Sequence, residues 1–213
     1  MAAVGNAWYL RSGALAGGRW QVACYQSDDQ PDGSTVAVTD VEVVPDDTAM
    51  LWRADLDGRG RSRVDVTATG APGAPLAWFV AIAERQDDRP RMTLVAFCTG
   101  HLPDGTVVPN ATFVTMPLGS ASQAAAIRWW ADTAVVDEIY VQPEHRRTQL
   151  GSKLIYVASG FHQHHGWPGR LHSDGRRTDL GQQFVVGLRH PERIAAWTHR
   201  AAPMTPRSGQ EPV

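Results

Sequence analysis

The sequence predicts a mixed α/β fold of the α+β kind, β-rich in its front half and alternating strand with helix behind. Three observations predict it. Before residue 75, short runs of β-favouring residues alternate with turn-formers; after it, two longer apolar runs flank a tight turn; from 134 to 161, a strand leads through a basic turn into a helical stripe. A chain of 213 residues can bury one such core with a modest extension.

The front half reads as "WQVACYQ", then "STVAVTDVEVV" with period-two alternation, then "TAMLWRADL" and "SRVDVTA". Their separators, "DDQPDGS", "PDD" and "DGRGRS", are rich in residues that favour turns. The Gly/Pro-dense "TGAPGAPLA" at 69–77 marks a boundary between a β-rich N-terminal part, 1–75, and a core, 76–200. In that core "LAWFVAIAE" and "RMTLVAFCTG" enclose "RQDDRP", a hairpin, and a second turn, "LPDGT", leads into "ATFVTMP".

In "GSASQAAAIRWWADT", Ser120 precedes Gln123 at capping-box spacing and alanines follow, which predicts a short helix over 121–131. "AVVDEIYV" is β-branched and aromatic, a strand that Pro143 ends because proline cannot donate to a ladder. Leu150, Leu154, Val157, Ala158 and Phe161 then fall on one helical stripe, broken by Gly166, Pro168 and Gly169. "RLHS" is short and extended, "RTDLGQQFVVGL" forms a further helix ending near His190 and Pro191, and a disordered tail is expected over 201–213.

A formal charge of −2 with 20% charged residues argues against binding nucleic acid through bulk charge, so any basic site is local. Lys153 is the single lysine among 20 cationic residues. Cys24 and Cys98 each lie inside an apolar run, as buried thiols do in a reducing compartment. No apolar span of about 18 residues occurs and the N-terminus lacks a signal-peptide pattern, so a cytoplasmic protein without a membrane anchor is expected.

The basic turn carries the most specific chemistry. A helix N-terminus presents unpaired N–H groups and a partial positive charge, to which Arg146 and Arg147 add fork-shaped donors suited to phosphate, while Gly151 lets a ligand approach the backbone. The same residues are also compatible with a solvated basic turn. The spacing V-x-P-x-x-R-x-x-x-[LI]-G-x-x-L, present as Val141, Pro143, Arg146, Leu150, Gly151 and Leu154, resembles the acetyl-CoA-binding motif of the GNAT superfamily of N-acetyltransferases. The resemblance spans about 76–190 and is densest from 134 to 161.

That resemblance implies a GNAT-like acyl-CoA N-acyltransferase fold, with acetyl-CoA as cosubstrate and a primary amine of a protein or small molecule as acceptor. Its pyrophosphate turn, [Q/R]-x-x-G-x-[G/A], corresponds to Arg146, Arg147, Thr148, Gln149, Leu150 and Gly151, with Ser152 next; Gln149 stands where the pattern has its first glycine and is expected to keep a negative φ or to crowd the phosphates. Ile139, Tyr140 and Val141 would supply backbone partners to the pantetheine arm, and an N–H near Val141 the oxyanion donor. "HSDGRRTDLGQQF" is similar to the second strand-to-helix segment of such enzymes from actinobacteria and their phages. The family's usual tyrosine acid has no counterpart in "RTDLGQQFVVGL". The chain also lacks the family's last two strands, leaving a sheet edge that a second copy could complete as a homodimer.

Direct acetyl transfer needs a base for the amine, and Glu138, two residues before Tyr140, is the candidate; Asp137 is the alternative of opposite facing. An outward-facing structural carboxylate is the other reading of Glu138. His162 and His165 are spaced to share a helix face and could meet a metal with His172, but histidines are favoured near helix C-termini and no metal is assigned. A protein that keeps the fold without turnover, such as a phage structural or accessory component, is the alternative function, motivated by Gln149 and the missing tyrosine.

Overall fold

The structure, a computed structural model, describes residues 5–40, 47–188 and 194–200. It is sheet-rich with few helices. The described residues up to Leu171 form one compact unit and those from His172 onward a second.

The first unit begins with β1 (Ala7–Leu15), β2 (Arg19–Gln26), β3 (Thr35–Ala37), β4 (Met50–Leu56) and β5 (Ser62–Val66). They form a sheet in the order β3-β1-β2-β4-β5, antiparallel except for the parallel β1–β3 pair. Then come β6 (Trp78–Gln86), β7 (Arg89–Phe97), β8 (Val107–Pro109), the single turn α1 (Asn110–Phe113), β9 (Ala125–Trp130), β10 (Val135–Val141) and α2 (Leu150–His164). Within this unit the second sheet runs β10-β9-β7-β6-β8, antiparallel except for β6–β8.

The two sheets meet where Val64 N–H donates to Gly105 O at 2.9 Å, beside a bridge between Arg63 and Thr106. Gly105 has φ +74, and a Cβ there would sit 2.4 Å from Val64 O. The junction therefore requires glycine.

Helix α2 packs against β2, β4 and β5 of the first sheet and β9 and β10 of the second. All five residues of the predicted stripe are buried, and so are Gly151, Lys153, Gly160, His162, Gln163 and His164. One core runs through both sheets, from Val22, Trp52 and Val64 to Phe79, Leu94, Ile127 and Trp129, with α2 in it. Each such large side chain contributes about 1.5–3 kcal/mol by leaving water. A smaller cluster of Trp78, Val80, Phe97 and Val108 is covered by Phe113, Met116 and Leu118.

The helix expected over 121–131 is instead a one-turn 3-10 helix, Ser120–Ser122, followed by β9. The burial of Ala125, Ile127 and Trp129 alternates with the partial exposure of Ala126, Arg128 and Trp130. Ladders to both β7 and β10 outweigh alanine's helix propensity, and two neighbouring tryptophans suit a pleated surface. The alternation in "STVAVTDVEVV" yields only β3 before a 3-10 turn, Val38–Asp40; its last four residues lie outside the described residues, as do His190, Pro191 and the tail 201–213. β1, not expected from the sequence, is joined to β2 through Gly17 and Gly18, both at positive φ. The hairpin between β6 and β7, the strand β10 and helix α2 lie where the sequence placed them.

In the second unit, β11 (His172–Ser173) precedes β12 (Arg176–Arg177), which pairs in parallel with β13 (His199–Arg200). α3 (Asp179–Val186) starts at Thr178, whose Oγ1 accepts from Gly181 N–H at 3.0 Å. Among the described residues, no helix is long and apolar enough to cross a membrane.

Candidate functional site

The basic turn is built by two breaks in the chain. Pro143 ends β10 and opens a 3-10 turn, Pro143–His145; the chain then enters the left-handed region at Arg147, φ +63, and again at Gln149, φ +64, before α2 begins. Thr148 Oγ1 donates to His145 O at 2.7 Å and fixes the bend. Gln149 thus adopts the left-handed conformation that glycine favours, not the expected negative φ. A side chain in that region costs about 1 kcal/mol, so the surrounding turn imposes it.

The first turn of α2 presents Leu150, Gly151 and Ser152 N–H groups without a side-chain cap, while Lys153 N–H already donates to Gln149 O. Arg146 and Arg147 are exposed and neither forms an ion pair among the described residues; Arg146 Nε donates to Val141 O at 3.1 Å. Positive charge, helix dipole and unpaired donors converge on one turn. The residues from Arg146 to Ser152 thereby lie together on one turn at the start of α2.

Lys153 does not join them. Its Nζ points into the protein, 2.7 Å from Asp104 Oδ1 and 2.9 Å from Pro75 O, with the side chain only 4% exposed. This pair fastens the start of α2 to the loops at 75 and 104. The sequence carries one signal for this burial, the chain's single lysine placed beside the apolar stripe of α2. Nearby Cys98 is a free, half-buried thiol whose pKa burial pushes up.

On β10, Ile139 and Val141 pack on the α2 face, so Glu138 and Tyr140 take the opposite one. Gln142 N–H donates to its partner Ala124 O, and alternation from that pair directs the backbone groups of Tyr140 toward β9 and those of Ile139 and Val141 away from it. A register shift between Val136 and Glu138 puts a bulge at Asp137, which is exposed.

Glu138 is not in an apolar cleft. Arg128 Nη1 donates to its Oε2 at 2.9 Å, and Arg128 Nε reaches Thr93 Oγ1 at 3.3 Å, a row of three side chains across β7, β9 and β10. Arg128 was missed because its segment was assigned to a helix. Strand alternation would have paired it with Glu138.

The histidine-rich end of α2 is a packed polar core. Trp129 Nε1–H donates to His162 Nδ1 at 3.1 Å and His162 Nε2 donates to Pro168 O at 3.0 Å, which occupies both ring nitrogens. His165 stacks on Trp167 with centroids 4.8 Å apart and donates from Nδ1 to Phe161 O. Burial lowers the pKa of His162, His164 and His165, the last to about 4. Among the described residues no group of three metal-ligating side chains is assembled.

Two cavities flank α2. One of about 200 Å³ lies beside Lys153 and Asp104, lined by Val66, Ala71 and Leu76. The larger, about 560 Å³, opens between the β6–β7 hairpin and Trp167, beyond the far end of the 15-residue helix from the basic turn. No protein-family model matches the chain, nor does any curated protein or solved structure.

Proposed function

We propose that this protein is an N-acetyltransferase with a GNAT-like fold, which binds acetyl-CoA at residues 146–152 and passes its acetyl group to a primary amine by direct attack. The observation that carries the reading is Gln149 at φ +64, a non-glycine residue held in the left-handed conformation that glycine favours, at the position where the motif has its first glycine. The N–H groups of Leu150, Gly151 and Ser152 and the exposed guanidinium groups of Arg146 and Arg147, which form no ion pair among the described residues, fit a pyrophosphate there. The resemblance lays the pantetheine arm along Ile139, Tyr140 and Val141 of β10, where Arg146 Nε already donates to Val141 O at 3.1 Å.

In this reading Glu138 removes a proton from the amine, directly or through water, as the nitrogen attacks the thioester carbonyl carbon. A backbone N–H near Val141 stabilises the oxyanion, the carbon–sulfur bond breaks, and solvent protonates the thiolate. Calorimetric titration of acetyl-CoA, with desulfo-CoA and the adenosine bisphosphate fragment of CoA as controls, tests the binding step. Saturable binding that needs the pyrophosphate and weakens at least roughly tenfold in Arg146→Ala/Arg147→Ala is expected. Absence of binding at millimolar ligand, or binding unchanged in that exposed double variant, overturns the site.

A second reading is a protein that binds CoA without turnover. The ion pair that commits Glu138 to Arg128 favours it. CoA release with any amine acceptor rules it out.

A further inference from the structure

We propose that the cavity between the β6–β7 hairpin and the Trp167–Pro168 segment binds a small organic carboxylate with an aromatic body. Its volume of about 560 Å³ lies within the range of sites for small ligands. Ala83 and Met92 are ladder partners on the α2 face and form an apolar floor, which Ala131 extends where its N–H donates to Pro90 O at 3.0 Å.

The indole of Trp167 forms the wall, and its position is fixed from behind. His165 stacks on it, and Trp129, Phe161 and His162 meet it within 6.4 Å between centroids. The backbone beyond is tied by His162 Nε2 to Pro168 O and by Gln163 Nε2 to Gly169 O at 2.6 Å. A planar ring can enter this slot without reorganising it.

The charges at the rim select the ligand. Asp132 is held by Arg89 through two hydrogen bonds, at 3.0 and 3.1 Å, and Glu84 lies 3.5 Å from Arg91 Nη2. Arg85, two residues beyond Ala83 on β6 and therefore on the same face, has no hydrogen bond or ion pair among the described residues. After internal pairing, one unengaged guanidinium stands over an apolar, aromatic-walled slot. Asp87 and Asp88 belong to the hairpin turn and lie outside the lining. A carboxylate matches the fork of Arg85 while its ring lies against Trp167. This site is independent of the basic turn, from which α2 separates it by about 22 Å.

Heteronuclear NMR of the indole N–H of Trp167, assigned with Trp167→Phe, tests the proposal on the full chain. Phenylacetate, phenethyl alcohol and phenethylamine are titrated at constant ionic strength into the wild type and Arg85→Gln, a change at an exposed position. Saturable movement of the Trp167 signal by phenylacetate, weakened roughly tenfold by Arg85→Gln and by the alcohol, is expected. The proposal is overturned by absence of saturable movement, by an amine that binds as tightly as the acid, or by affinity indifferent to Arg85→Gln.

Discussion

Arg128 Nη1 donates to Glu138 Oε2 at 2.9 Å across the β9–β10 ladder, so the carboxylate assigned as base in the proposed transfer is half of a cross-strand ion pair. Both side chains are about one-third exposed or less, 31% and 27%, which keeps the pair's contribution to stability at about 1 kcal/mol or less. Glu138→Gln and Arg128→Gln should each lower the urea midpoint slightly, with a coupling of that size in the double variant. If acetyl transfer is measurable, Glu138→Gln should reduce kcat roughly a hundredfold or more while Arg128→Gln should not. Equal losses in both would identify a purely structural pair.

Gln149 bears a side chain in the left-handed conformation and its side chain caps nothing at the start of α2. Gln149→Gly should relieve that strain, offset in part by the greater freedom of glycine in the unfolded chain, for a net gain of about 0.5–1 kcal/mol. The corresponding rise in Tm is about 1–4 °C, measured by calorimetry. Gln149→Val, β-branched and unsuited to positive φ, should lower it. A loss of stability in the glycine variant would show that the glutamine side chain contributes more than its backbone costs.

These two sites show what the sequence could disclose. Proline after a β-branched run, two arginines and a helical stripe fix the order of strand, turn and helix locally, so β10, the turn and α2 were legible. The φ of Gln149 was not, because one residue's conformation is imposed by the path between Pro143 and Leu150 and its identity argued for the opposite sign. The partner of Glu138 was lost with the helix wrongly expected over 121–131: alanine propensity is a local preference, whereas β9 is held by ladders to residues about 30 to 40 positions earlier in β7 as well as to β10. Burial of Lys153, His162 and His164 follows from α2 being enclosed by two sheets, and no pattern within the helix encodes that second sheet.

Gly160 provides a test of that enclosure. A Cβ there would lie 2.6 Å from Val64 Cγ1 and 3.2 Å from the Trp52 ring, so the helix meets the first sheet at a distance only glycine allows. Gly160→Ala should destabilise by about 1–3 kcal/mol despite alanine's better helix propensity. Val64→Ala costs stability alone through the lost methyl groups, but the double variant should be more stable than the sum of the two predicts. Simple additivity in denaturant titrations would place α2 farther from β5.

The histidines at the end of α2 make stability depend on pH in a definite direction. Burial lowers the pKa of His165 from 6.5 to about 4, against the hydrogen bond to Phe161 O, and His164, Arg19 and His162 add to the lowering by repulsion. His162 and His164 shift the same way for the same principal cause; Asp55 partly opposes the shift of His164 and Arg19 adds to it. Between the two pKa values the unfolded chain binds protons that the folded one refuses, so stability is complete above about pH 6.5 and declines as pH falls toward 4. His165 alone accounts for at most about 3 kcal/mol of that loss. Urea midpoints should therefore fall steadily from pH 7 to pH 5, and His165→Phe, which keeps the ring against Trp167 while removing the proton site, should flatten the slope by up to one proton. A profile unchanged by that substitution would show that His165 is hydrated and titrates alike in both states.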